Sequence, residues 1–172
     1  QSHLDAPVIL TALPHNRRHS VATAAALEWF SAHFHPRRFS WWERKRNGLS
    51  YYLTALCFNI VPLPQRETGT REAMRYLGTL LTNGSSVLIF PEGRRSKTKV
   101  INQFRPGVGM LASQLEVPVI PVRIEGINNI WPEGRRVPRF GRARVTFGSA
   151  MWFSGSDYEE IARRIENAVK EL

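Results

Sequence analysis

The sequence has a single cysteine, Cys57, and few lysines: only four of its 24 basic residues. One cysteine excludes an intramolecular disulfide framework and a zinc site built from cysteines. No run of about 18 strongly apolar residues occurs, which argues against a membrane-spanning helix. The first five residues lack the basic and apolar stretches of a signal peptide, and they lack an initiator methionine. We therefore expect a processed chain or a segment of a longer polypeptide.

What is present is an arginine-rich chain of globular composition. Its 172 residues, 42% hydrophobic and 22% charged, fit one domain with a buried core, and we expect residues 1–172 to form it. Twenty arginines and four lysines against 14 acidic residues give a net charge of +10. Guanidinium groups suit phosphate, so the excess indicates an anionic partner: nucleic acid, anionic lipid or a phosphorylated small molecule. A general solubilising role is the alternative for part of it.

Helix and strand patterns alternate along the chain, which predicts an α/β domain with a layered mixed sheet flanked by helices. Apolar spacing and composition predict helices at residues 5–13, 22–34, 70–82, 108–115 and 158–172. A short strand is expected near residues 20–22, and buried strands are expected at residues 86–90, 117–124 and 142–147. The uncharged segment 48–63 is interpreted as a helix that runs into an extended stretch.

The turn after the strand at residues 86–90 carries the strongest site pattern, Phe90-Pro91-Glu92-Gly93-Arg94-Arg95-Ser96. Ligands of open α/β sheets bind beyond the carboxyl ends of strands. Gly93 permits close backbone approach, and the two arginines supply forked donors for a phosphate. Glu92 could orient those arginines or a substrate hydroxyl. An ordinary basic turn is the alternative.

The same five residues recur at 132–136, but no strand pattern precedes that copy. We interpret the second copy as a basic surface loop, so the strand context marks the first copy as the site. The Trp41 to Arg46 segment mixes tryptophan with basic residues, which is typical of a membrane interface. Stacking on single-stranded nucleic acid is its alternative, but no nucleic-acid-binding motif accompanies it.

The segment 90–96 resembles the Phe-Pro-Glu-Gly-Thr-Arg-Ser block of the glycerolipid acyltransferases related to 1-acylglycerol-3-phosphate acyltransferase, with Arg94 in place of Thr. Residues 1–5 are similar to the end of that family's Asn-His-x-Ser-x-x-Asp block, with Ser2 and Asp5 in place. The family's catalytic His would then fall immediately before Gln1. The segments 104–107 and 117–122 are similar to two further blocks, in the family's order. Arg66 stands where another block ends, although the Gly-x-x-Phe-Ile core of that block is not reproduced.

This resemblance implies an acyltransferase that moves a fatty acyl group from acyl-CoA or acyl carrier protein to a lysophospholipid or glycerol phosphate. The missing His would be the base for the acceptor hydroxyl, and Asp5 would orient it. The implied substrate-binding residues are Glu92, Gly93, Arg94, Arg95, Ser96 and Arg66. Asp5 could instead cap the helix that follows it, or do both, and Arg66 is either a phosphate donor or a solvated charge.

The resemblance implies no cofactor beyond the acyl co-substrate, and the histidines show no metal-ligand spacing. We expect a peripheral protein on the cytoplasmic face of a membrane, with no nucleic-acid partner. Two other interpretations stay open. One is a non-catalytic basic module that binds anionic lipid or nucleic acid. The other is an acyltransferase-like domain inside a larger lipid-metabolic polypeptide.

Overall fold

The computed structural model of the chain describes residues 5–26, 60–63, 70–93, 100–130 and 139–172. Helices and small sheets alternate within these ranges, which confirms the predicted α/β class. The chain divides into two compact units, one formed by residues 14–89 and the other by residues 1–13 and 90–172. Several predicted features lie outside the described residues: the part of the segment 48–63 before Ile60, the Trp41 to Arg46 segment, Cys57 and the second Pro-Glu-Gly copy.

A three-stranded parallel sheet forms the centre of the unit of residues 14–89. Its strands are β1 (Val21–Ala26), β2 (Ile60–Leu63) and β3 (Ser86–Leu88), in the order β2-β1-β3. The predicted helix at residues 22–34 is therefore wrong for residues 22–26, which are strand. Alanine's helix preference amounts to less than about 1 kcal/mol per residue, and a central strand bonds its backbone on both sides.

The helices of this unit are α2 (short, His15–Arg18, before β1) and α3 (Thr70–Thr82, before β3). The bounds of α3 confirm its prediction. Leu77 on α3 is only 1% exposed, and the helix packs against β3. The chain leaves α3 through Gly84, whose φ of +78° suits the left-handed helix end that glycine favours.

In the other unit, α1 (Asp5–Ala12), α4 (Pro106–Gln114), α5 (Ile127–Ile130) and α6 (Tyr158–Glu171) are the helices. The packing of α4 against α6 builds its core, whose buried members are Phe104, Ala112, Phe153, Ile161, Ala162 and Ile165. Gly109 lets these helices approach, because a Cβ there would lie 2.2 Å from the carbonyl oxygen of Tyr158. The helix predicted at residues 158–172 is confirmed, with Ile161, Ile165 and Val169 packed in this core.

An antiparallel pair, β4 (Val122–Glu125) with β5 (Arg144–Phe147), completes this unit. The predicted buried strand at residues 117–124 is confirmed as a strand for residues 122–124 and is wrong for residues 117–121, where the structure has an isolated bridge at Val119 and Ile120 is 54% exposed. Pro118 and Pro121 lack the N–H groups that a ladder needs, so pairing becomes regular only after them.

Candidate functional site

The turn predicted to carry the site is present at residues 90–93. The Gly93 N–H donates to the carbonyl oxygen of Phe90 at 3.3 Å, and Gly93 has a φ of +65°. This left-handed conformation is one that glycine adopts without the steric penalty of a Cβ. The sequence therefore contains glycine here because of the backbone conformation, before any ligand is considered.

Glu92 is held in place by one neighbour. Both the backbone N–H and the side-chain Nδ2 of Asn102 donate to Glu92 Oε2, at 3.0 and 2.8 Å. Among the described residues, no donor reaches Oε1 of Glu92. The carboxylate is thus oriented, with one oxygen still available for a hydrogen bond.

Arg105 closes over this turn, a contact that sequence reasoning did not assign. Its backbone N–H donates to the carbonyl oxygen of Pro91 at 2.9 Å. Its side chain occupies the space beside Gly93, where a Cβ would lie 2.3 Å from Arg105 Nε. Arg105 is exposed, and it forms no ion pair with any residue in the described ranges. The only sequence signal for it was its place in the segment 104–107, which resembles a family block.

A cleft of about 630 Å³ lies beside the turn. One wall is the turn with its partners on the segment that leads into α4, and the other is the start of α6. The lining residues are Glu92, Asn102, Gln103, Phe104, Arg105, Pro106, Asp157, Glu159, Glu160, Arg163 and Glu166. Several of the carboxylates are already engaged: Glu160 pairs with Arg163, and Asp157 accepts the Glu160 N–H at 3.0 Å as the helix cap.

Glu166 ties the two walls together. Its Oε2 accepts the backbone N–H of Phe104 at 2.9 Å, and its Oε1 pairs with Lys170 one helical turn further on. Burial acts to raise the pKa of this carboxyl, but the bonds to Lys170 and Phe104 and the Lys170 charge outweigh it, so the pKa is lowered. Glu166 is therefore an ionised structural group that fixes the backbone next to Arg105.

Asp5 is the first residue of α1 and is 9% exposed, in the same compact unit as the Glu92 turn. A carboxylate in the first turn of a helix interacts favourably with the helix dipole, which accounts for its position without a catalytic role. Its role beside a histidine remains a prediction. Four further predicted site residues, Arg94, Arg95, Ser96 and Arg66, lie outside the described residues, and their roles also remain predictions.

Within the described ranges, no group of three or more potential ligands could hold a metal ion. None of the helices described combines the length and apolar character that crossing a bilayer requires.

Comparison with known proteins gives concordant matches. The family model described as Acyltransferase matches residues 1–125. Two plant proteins are each 30% identical over 100 residues: 1-acyl-sn-glycerol-3-phosphate acyltransferase BAT2, chloroplastic, of Brassica napus and its LPAT1 counterpart of Arabidopsis thaliana. Those residues make up 57% of this chain but only 29% and 28% of the plant proteins.

Among solved structures, the chain is similar to the 1-acyl-sn-glycerophosphate (LPA) acyltransferase PlsC from Thermotoga maritima. The TM-score is 0.63 at 25% sequence identity, and the match covers all of this chain and 62% of that one. The chain therefore spans less than two thirds of each of these relatives.

Proposed function

Because the chain belongs to the acyltransferase family, as its sequence blocks predicted, we propose that it transfers a fatty acyl group to the hydroxyl of 1-acylglycerol-3-phosphate or a closely related phosphorylated acceptor. The observation that carries the proposal is the turn at Glu92 and Gly93, covered by the guanidinium of Arg105. The names of the plant relatives and of the PlsC structure support this acceptor class. The donor is proposed to be acyl-CoA or acyl carrier protein.

In the proposed reaction the acceptor oxygen attacks the thioester carbonyl, and its proton passes to a histidine base. The carbon–sulfur bond then breaks, and the departing thiolate is protonated. By the resemblance, that histidine would precede Gln1, and Asp5 would orient it and stabilise its charged form. This step uses the substrate hydroxyl directly as nucleophile and needs no covalent acyl-enzyme.

Binding of the acceptor phosphate is proposed to position its hydroxyl. Arg105 supplies a guanidinium at the turn that forms no ion pair within the described ranges, and the resemblance assigns Arg95 to the same phosphate. Oε1 of Glu92, which accepts no hydrogen bond from the part of the chain that the structure describes, is available to orient a guanidinium or a hydroxyl. Holding reactants in register contributes much of the rate gain in such bimolecular reactions. Because such an acceptor is an amphipathic lipid, the protein is further proposed to act as a peripheral protein on the cytoplasmic face of a membrane.

The test compares lysophosphatidic acid with monoacylglycerol, which lacks the phosphate, as acceptors for radiolabelled acyl-CoA. The protein assayed includes the residues encoded before Gln1, where the base is proposed to lie. We expect a strong preference for the phosphorylated acceptor. Salt-sensitive binding of any polyanion without turnover would contradict the enzyme and favour the non-catalytic basic module.

Matched arginine variants test the phosphate site. Arg95→Ala should raise the KM for lysophosphatidic acid by about tenfold or more, since a charge-assisted hydrogen bond contributes about 1.5–3 kcal/mol. Arg135→Ala, in the second Pro-Glu-Gly copy, should leave it nearly unchanged. Arg105→Ala should resemble Arg95→Ala, whereas Arg71→Ala on α3 is a control at an exposed arginine. The assignment of Arg95 would be refuted if Arg95→Ala and Arg135→Ala changed the KM equally. The assignment of Arg105 would be refuted if Arg105→Ala and Arg71→Ala did so.

A further inference from the structure

Residues 139–144, called the 139–144 loop below, lead into β5 and end at its first residue, and they combine exposed aromatic and basic side chains. Phe140 is fully exposed, at 110% of its reference area, the highest value among the large hydrophobic residues described. Arg139, Arg142 and Arg144 are exposed on either side of it. A single exposed apolar residue is ordinary on a protein surface, so the surrounding charges decide what this one means.

The backbone fixes Phe140 in its outward position. The Arg139 N–H donates to the carbonyl oxygen of Ile130 at 2.7 Å. A Cβ on Gly141 would lie 2.8 Å from Cγ1 of Ile130, so this backbone packs directly against α5. Next along the chain, the carbonyl oxygen of Arg142 fills the space beside Gly126, 2.4 Å from where a Cβ would be. The loop is therefore anchored on both sides of Phe140.

The loop is also positively charged without compensation. No acidic residue occurs between positions 139 and 156. Within the part of the chain that the structure describes, neither Arg139 nor Arg142 forms an ion pair. Glu125 lies opposite Arg144 in the β4–β5 register, but its carboxylate pairs with Arg123 at 3.2 Å. Arg139 and Arg142 can thus bind an external anion without first breaking an ion pair to any described residue.

We propose that the 139–144 loop docks the protein on an anionic lipid bilayer. Phe140 enters the interface between headgroups and acyl chains, and Arg139 and Arg142 bind lipid phosphates. A bilayer is the partner that offers apolar depth and a layer of negative charge at the same site. The inference builds on the proposed function by naming the surface through which the protein would reach its lipid acceptor. Its test measures binding without turnover, so either proposal can fail alone.

The experiment is cosedimentation of the chain with phosphatidylcholine vesicles that contain either 30% anionic phospholipid or none. The double variant Arg139→Glu/Arg142→Glu is compared with Arg71→Glu/Arg75→Glu on α3, which changes the net charge equally. Phe140→Ala is compared with Tyr76→Ala, another exposed aromatic. Circular dichroism melts verify that each variant is folded.

We expect the loop reversal to weaken binding to anionic vesicles by about 25-fold or more, from about fivefold per arginine, and the α3 reversal to weaken it far less. Phe140→Ala should weaken it several-fold, with Tyr76→Ala close to wild type. Equal losses in the two charge reversals would overturn the proposal, because net charge alone would then explain binding. It would also be overturned if Phe140→Ala bound as wild type, or if single-stranded RNA bound more tightly than the vesicles and depended on the same arginines.

Discussion

Replacing Gly93 by alanine tests whether the turn and Arg105 act together. The new Cβ would lie 2.3 Å from Arg105 Nε and 2.6 Å from its Cζ. Unstrained contacts between such atoms begin near about 3.5 Å, so the guanidinium must move by about 1 Å or more. A misplacement of that size in a positioning group can cost about 100-fold in rate. We expect kcat/KM for lysophosphatidic acid to fall by about 10- to 100-fold.

Stability provides the matched control for this variant. The φ of +65° at Gly93 makes alanine unfavourable by about 1–2 kcal/mol regardless of neighbours. Gly84, with a φ of +78°, carries a similar penalty, but a Cβ there meets nothing within 4 Å. Each alanine variant should melt roughly 4 °C lower. Only Gly93→Ala should also lose acceptor use.

The assay is steady-state kinetics at a temperature where both variants are fully folded, with a double-mutant cycle through Arg105→Ala. If Gly93 acts by leaving room for Arg105, Gly93→Ala should add little further loss once that side chain is removed. The reasoning is refuted if Gly93→Ala and Gly84→Ala keep equal kcat/KM values. Full additivity of Gly93→Ala with Arg105→Ala would refute it as well.

Two further predictions concern the packing behind the cleft. Because the pKa of Glu166 is lowered in the folded protein, its carboxylate stabilises the fold at pH values above the unfolded-state pKa of about 4.3. This stabilisation is lost as the pH falls through the pKa of the folded state. Glu166→Gln should therefore reduce the fall in unfolding free energy between pH 7 and pH 3. Urea titrations at a series of pH values measure this, and the same dependence of unfolding free energy on pH in variant and wild type would contradict the prediction. Gly109→Ala would place a Cβ 2.2 Å from the Tyr158 carbonyl oxygen, so it should destabilise the fold by about 1–3 kcal/mol. A melting temperature within about 1 °C of wild type would show that α4 and α6 can separate freely.

The elements that the sequence predicted well are those determined by local pattern. The apolar periodicity of residues 70–82 and 158–172 is complete within each segment, and both helices form. The alanines at 22–26 were assigned to a helix because their strand state depends on β2 and β3, partners far away in sequence. Likewise, the exposure of Ile120 depends on what packs over the segment, which composition does not report.

The candidate site also has a part that local sequence predicts and a part that depends on contacts between distant residues. The turn at Glu92 and Gly93 was predictable because its motif follows a strand pattern directly. The bonds from Asn102 to Glu92 and the approach of Arg105 to Gly93 join residues at least ten positions apart. No periodicity or short motif in the sequence predicts such contacts. The resemblance marked the segment 104–107, but only the coordinates show what it touches.

The second wall of the cleft, formed by the start of α6, lies outside the part of the chain that the family model matches. The family match ends at residue 125, whereas α6 begins at Tyr158 and still borders the cleft. Substitutions at exposed positions such as Glu159 and Arg163 would reshape that wall while leaving the motif turn and its backbone bonds intact. Under the proposed function, relatives could therefore keep the motif turn and acquire new headgroup preferences through substitutions on α6.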